Sequence, residues 1–343
     1  MAKRPDCPVS ATHLIGRKKR QGPMTETVLL RPGHRMSRVI KGGWQLAGDH
    51  GSVDRAQAVR DMEAFLDAGI NTFDCADIYV GVEEMIGDFI ADLRRRRGAS
   101  VANTVCVHTK LVPDLELLER IRPQDVEAIV DRSLQRMQVE RLDLVQFYWW
   151  DLSLGDPLEG LSVLLDLQRR GKIANLGINN WDRSQIAPYV DAGYDIAAAQ
   201  VQYSVLDRRP AGGLSNWAAG HDMQLVCYGT LAGGFLTDAW LGKPDPGFAF
   251  KNRSLVKYRL IIDEFGSWDA FQELLRALKT IGDRHGTSLS SGATRWVLDQ
   301  PQVAGGSVGA RYARHLPRTL EVFDLTLDAE DHAVLNAVLD AHP

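Results

Sequence analysis

Short apolar runs separated by helix-periodic segments recur along this chain, and that alternation restricts its fold more than any single motif does. Strand-like runs centre at about 40, 71, 105, 143, 174, 197, 225 and 304, with amphipathic segments between them. Leu142–Phe147 shows the strand type. The helical type is shown by Val126, Ile129, Val130, Leu134 and Met137, which follow an i, i+3/i+4 face opened by Pro123. Eight strand–helix units with no reversal and no second composition regime predict a (β/α)8 TIM barrel of the α/β class. A doubly wound open sheet is the alternative. It normally carries a glycine-rich turn after its first strand, and no such turn follows here.

Four segments fall outside the repeat. Thr27–Leu30 and Met36–Ile40 flank the turn signal Pro32-Gly33 and predict an N-terminal β-hairpin. Residues 236–268, rich in glycine, proline and aromatics, sit between strand seven and its helix, an insertion that would fold over the C-terminal face. Leu327–Leu339 predicts an extra C-terminal helix. Residues 1–23 are basic (Lys3, Arg4, Arg17, Lys18, Lys19, Arg20) and have no periodic apolar face. They read as a disordered extension ahead of a working start at Met24 and one domain over 24–343. They lack the apolar core of a secretory signal, and a transit peptide is the other reading.

Composition removes several function classes. A formal charge of −4 and a pI near 6.1 offer no surface for nucleic acid. No apolar run approaches the roughly 18 residues of a membrane span. Cys7, Cys75, Cys106 and Cys227 show no metal-ligand spacing, and the last three lie in apolar runs as buried thiols of a reducing, cytoplasmic compartment. Nothing reads as an obligate interface, so the oligomeric state stays open.

Four strand ends carry the polar chemistry. Phe73-Asp74-Cys75-Ala76-Asp77-Ile78-Tyr79 delivers two carboxylates and a phenol, and Thr109-Lys110, Tyr148-Trp149-Trp150-Asp151 and Gly177-Ile178-Asn179-Asn180 deliver more. A tyrosine can protonate a carbonyl oxygen when its pKa of about 10 is drawn toward neutrality. A neighbouring ammonium such as Lys110 does this, and a buried carboxylate such as Asp74 keeps the lysine charged. Taken singly, Asp74 also reads as a cap and Lys110 as a surface charge. Asn179, Asn180, Gln200 and Tyr228 place amides and a ring at strand ends five to seven, where amides pair with a carboxamide and a ring stacks on a flat heterocycle. Gly229-Thr230-Leu231-Ala232-Gly233-Gly234 and Gly305-Gly306-Ser307-Val308-Gly309-Ala310-Arg311 are small-residue turns suited to phosphate.

Asp-x-Ala-Asp-x-Tyr-x-Gly over 74–81, Lys110, Asn180, Gln200 and the Tyr228-Gly-Thr-Leu turn together resemble the aldo-keto reductase superfamily over nearly all of 27–340. The run Gln146-Phe147-Tyr148-Trp149-Trp150-Asp151 and the segment Lys257-Tyr258-Arg259 through Trp268 resemble a plant and bacterial branch. The resemblance implies a barrel using NADPH, with NADH as the alternative, to reduce a small-molecule aldehyde or ketone. It implies Tyr79 as proton donor, Lys110 as its tuner and Asp74 as support for the lysine. Asn179, Asn180 and Gln200 would hold the carboxamide, and Tyr228 would stack on the nicotinamide. Gly229, Thr230, Leu231, Gly233, Ser307 and Gly309 would take the phosphates, with Arg311 and Arg314 at the adenine end. Trp44, Trp149 and Tyr258 would line the substrate pocket. The superfamily's catalytic histidine falls on Tyr148, which leaves two alternatives: a nicotinamide-binding protein of low or regulatory activity, or an altered reaction such as double-bond reduction or non-redox chemistry.

Overall fold

The computed structural model describes residues 25–47, 53–250 and 252–342, so the extension expected over 1–23 lies outside the described residues. A hairpin comes first: β1 (Thr27–Arg31) pairs antiparallel with β2 (His34–Ser37). Eight parallel strands follow: β3 (Val39–Gly42), β4 (Thr72–Asp74), β5 (Cys106–Leu111), β6 (Leu142–Phe147), β7 (Ile173–Asn179), β8 (Ile196–Gln202), β9 (Gln224–Tyr228) and β10 (Val303–Val308). They hydrogen-bond in sequence order, and β10 pairs back onto β3 to close the barrel. The eightfold alternation is the architecture.

Helices surround the barrel, and the longer ones bury apolar side chains. They are α1 (Arg55–Asp67), α2 (Val82–Arg97), α3 (Ala99–Ala102), α4 (Pro123–Met137), α5 (Pro157–Arg169), α6 (Arg183–Asp191) and α7 (Gly213–Ala219). Then come α8 (Arg253–Phe265), α9 (Trp268–His285), α10 (Leu289–Leu298), α11 (Leu316–Leu320) and α12 (Ala329–Leu339). Side chains of Asp54, Asp156, Asp182 and Asp328 accept from backbone N–H groups to start α1, α5, α6 and α12. Among the described residues no helix is long and apolar enough to cross a membrane.

Two elements differ from the sequence expectation. The run Met36–Ile40 divides at Arg38, so that its first half belongs to the hairpin and its second half to the barrel. Arg38 pins this corner. Its guanidinium donates to the Val303 carbonyl at 3.0 Å and pairs with Glu26 at 3.1 Å, and its own carbonyl accepts from Gly306 N–H at 2.8 Å. The 236–268 insertion contains α8, started by Asn252, whose side chain accepts from Ser254 N–H at 2.8 Å. Tyr258, Ile261, Ile262 and Phe265 give it an ordinary helical face.

The hairpin closes the N-terminal end of the barrel. Leu30 and Met36 pack on the inward-facing Ile40, Leu144, Ala198, Val226 and Ala304, while His34 and His108 meet Nε2 to Nε2 at 3.0 Å. With that end filled, the opposite end holds the polar strand tips. Gly43 brings β3 close to them: its N–H bonds the Asp74 carbonyl at 2.7 Å, and a Cβ there would lie 2.7 Å from that same oxygen.

Candidate active site

Period-two alternation along β5 sends Lys110 into the barrel and Thr109 outward. Lys110 Nζ donates to Asp74 Oδ1 at 2.9 Å, to Asp74 Oδ2 at 2.8 Å and to the Cys75 carbonyl at 2.8 Å. Both side chains are buried. Burial opposes a charged lysine, but Asp74 and Tyr79 outweigh it and hold the ammonium above the ordinary lysine range. Asp74 Oδ1 also accepts from Gln200 Nε2 at 2.7 Å and from Gln146 Nε2 at 3.3 Å. Asn179 Nδ2 in turn donates to Gln200 Oε1 at 2.5 Å. The carboxylate is therefore gripped from β5, β6 and β8.

Tyr79 stands above this pair. Lys110 Nζ lies 5.2 Å from its ring centroid, and the Trp44 ring packs against it at 4.9 Å. Burial raises the phenol above its ordinary pKa, and the Lys110 ammonium pulls the other way without cancelling that rise. Sequence reasoning foresaw the pull of the lysine but not the stronger push of burial. At neutral pH the group is a protonated donor.

The loop carrying Tyr79 is fixed from behind. Fully buried Glu83 accepts from Thr109 Oγ1 at 2.7 Å and from Arg136 NH1 at 3.2 Å, and the same NH1 reaches the Asp77 carbonyl at 2.9 Å. Asp77 Oδ1 accepts from Val112 N–H at 3.1 Å. Burial, reinforced by the charge of Glu83, pushes the Asp77 carboxyl up to about 7. A carboxyl raised above its unfolded value binds its proton more tightly in the folded chain, so stability falls as pH climbs from about 4 through that value. Asp77→Asn should accordingly melt with the native chain at pH 4 and above it at pH 8; thermal melts across that range check this.

A cavity of about 790 Å³ opens at this mouth. It is lined by Asp74, Tyr79, Lys110, Tyr148, Asn179, Asn180, Gln200 and Tyr228, so the residues proposed for catalysis and for the nicotinamide end converge on one space. Tyr228 donates its hydroxyl proton to Asn180 Oδ1 at 2.8 Å, and Asn180 is held at a left-handed φ of 61°. Gly229, Thr230, Leu231, Gly233, Ser307 and Gly309 line the same cavity, as do Trp44 and Tyr258.

Three expected site residues lie elsewhere. Trp149 is not a pocket residue: its ring packs on Phe147 at 5.3 Å, its Nε1 donates to the Leu154 carbonyl at 2.9 Å, and Trp150 faces the cavity instead. Arg311 and Arg314 pack on the Tyr312 ring at 5.4 and 4.6 Å and are not on the cavity wall. His315 and Arg318 are on that wall, and Arg318 pairs with Asp238 of the insertion. Sequence reasoning also missed Gln146 and Lys257. Gln146 is a buried amide two residues beyond inward-facing Leu144. Lys257 Nζ sits 4.9 Å from the Tyr228 centroid, with burial drawing its pKa down to about 8.

A closed parallel barrel with a buried lysine–carboxylate pair, a tyrosine and a ligand-sized cavity at its C-terminal mouth defines a barrel enzyme. The model of the aldo/keto reductase family matches residues 38–340, and the chain belongs to that family of nicotinamide-dependent oxidoreductases. The aldo-keto reductase YhdN of Bacillus subtilis is 27% identical over 92% of this chain and 94% of its own. The structure of a glycerol dehydrogenase from Gluconobacter oxydans superposes with a TM-score of 0.76 at 26% identity, covering 92% of this chain and 95% of its own. An aldo-keto reductase from Klebsiella pneumoniae, in complex with NADPH, has the same fold, with a TM-score of 0.69, 22% identity and coverage of 92% and 95%.

Proposed function

We propose that this chain reduces an aldehyde or ketone to the alcohol with NADPH, NADH being the alternative, and that Tyr79 is the general acid. The observation that carries the reading is the Lys110 ammonium, held by both oxygens of Asp74 beside Tyr79 at the floor of a ring-lined cavity. The walls fit a dinucleotide. Thr230 Oγ1 and Gln45 Oε1 are buried on this cavity with no hydrogen-bond partner among the described residues, and a Cβ on Gly309 would collide with the Gln45 side chain. A bound nicotinamide cofactor would supply the hydride for the carbonyl carbon. Tyr79 gives its proton to the carbonyl oxygen, Lys110 stabilises the phenolate left behind, and Asp74 keeps Lys110 charged. Asn179, Asn180 and Gln200 would hold the carboxamide, Tyr228 would pack on the nicotinamide, and the turns at 229–233 and 307–309 would take the phosphates.

Tyr148 takes the place of a histidine that could titrate near pH 7. Burial raises its phenol, so it stays protonated and donates a hydrogen bond to the substrate oxygen. A second reading, low or altered activity, rests on this same substitution. NADPH and NADH oxidation with a panel of aromatic and aliphatic carbonyls separates the two. Turnover by the native chain, with Tyr148→His within about tenfold of it, supports reduction with Tyr148 as a working partner. NADPH binding without oxidation, together with turnover by Tyr148→His alone, would favour the second reading.

A further inference from the structure

The three loops beside Tyr79 are tied to one another, and the last tie ends on a tryptophan the chemistry above does not use. Asp77 Oδ1 holds Val112 N–H at 3.1 Å; the next residue, Pro113, offers its carbonyl to Trp150 Nε1 at 2.7 Å. Tyr148 N–H bonds the Leu111 carbonyl at 3.0 Å, and the Trp150 ring stands edge-on to Tyr148, centroids 5.0 Å apart at 86°. Trp150 is 47% exposed yet lines the cavity. A large ring left half in water is held by the hydrogen bond from its indole N–H and by the T-shaped contact with Tyr148, so it offers the cavity a positioned aromatic wall. Ile78 and Val112 continue that wall.

Resting on the carbonyl-reductase reading above, we infer that Trp150 is the specificity-determining wall for flat, ring-bearing carbonyl substrates, with Asp77 as the positioning residue that fixes it through Val112 and Pro113. A ring lying against Trp150 buries apolar area that a short aliphatic aldehyde cannot reach.

The test compares a naphthaldehyde with propanal on the full chain with NADPH. It is paired with fluorescence titration of the NADPH complex with 2-naphthoate, a ring ligand that cannot be reduced. Trp150→Ala should lower kcat/KM for the naphthaldehyde and the affinity for 2-naphthoate by about 10- to 100-fold, while propanal and NADPH affinity stay within about threefold. Asp77→Ala should shift selectivity the same way but less, and Asp77→Asn, which keeps an Oδ1 acceptor for Val112 N–H, should restore it. Should Asp77→Ala fail to fold, Trp150→Phe decides: it keeps a ring without the indole N–H and should fall between. Unchanged 2-naphthoate affinity in Trp150→Ala overturns the wall, as does an equal loss for both aldehydes. Absence of turnover in every variant overturns the reductase reading while the naphthoate titration still decides the wall.

Discussion

Tyr79→Phe is expected to lower kcat by about 10²- to 10⁴-fold for every carbonyl the native chain reduces, the range for loss of a positioned general acid. The folded chain supplies the reason. Burial keeps the Tyr79 phenol protonated, and in the proposed mechanism Lys110, held above the ordinary lysine range, is the cation that would stabilise its phenolate. Phenylalanine keeps the ring contact with Trp44 and removes only the hydroxyl. NADPH affinity and melting temperature should therefore stay near native, so that the loss reads as lost proton transfer. Steady-state kinetics with cofactor titration and a thermal melt check all three together. A drop in cofactor affinity matching the drop in kcat would assign Tyr79 to binding instead.

Asp74→Ala should destabilise the fold by about 3–5 kcal/mol, because it strands a buried ammonium whose counterion is gone. Lys110 would lose both carboxylate oxygens and keep the Cys75 carbonyl, and Gln146 and Gln200 would lose the oxygen they donate to. Turnover should vanish as well, since an uncompensated Lys110 deprotonates and no longer favours the phenolate. The pair can be replaced together. Asp74→Leu with Lys110→Met removes both charges in favour of apolar side chains of similar size and should recover most of the stability without recovering activity. Denaturant unfolding of the single and double variants checks this. A double variant as unstable as Asp74→Ala would mean that the amide network, not the ion pair, dominates the cost.

Much of this site was legible because strand tips obey a simple parity. Inside a strand, alternate residues face the barrel, so Asp74, Lys110 and Gln200 could be placed from an apolar run and the polar residue that ends it. That logic stops where the strand stops. β6 ends at Phe147, and the chain then turns, so that Trp149 falls back on Phe147 while Trp150 reaches the cavity. Two adjacent tryptophans give the sequence no means of deciding which turns inward. The resemblance points to Arg311 and Arg314 for the adenine end, but both pack on Tyr312, while Arg318 lines the cavity. Gln146 could have been found. A lone amide two residues from inward-facing Leu144, in a strand of otherwise apolar inward positions, marks a buried partner. α8 was hidden by the glycine, proline and aromatic residues around it, although its own apolar spacing is regular.

The measurement closest to the central claim is isotopic. The native chain is incubated with a reducible carbonyl and NADPH carrying deuterium at both C4 positions of the nicotinamide, and the product is analysed by mass spectrometry. The account predicts an alcohol one mass unit heavier, with the deuterium on the carbinol carbon, and little or no product from Tyr79→Phe. Product without deuterium at that carbon, or a saturated carbonyl compound in place of the alcohol, would contradict it.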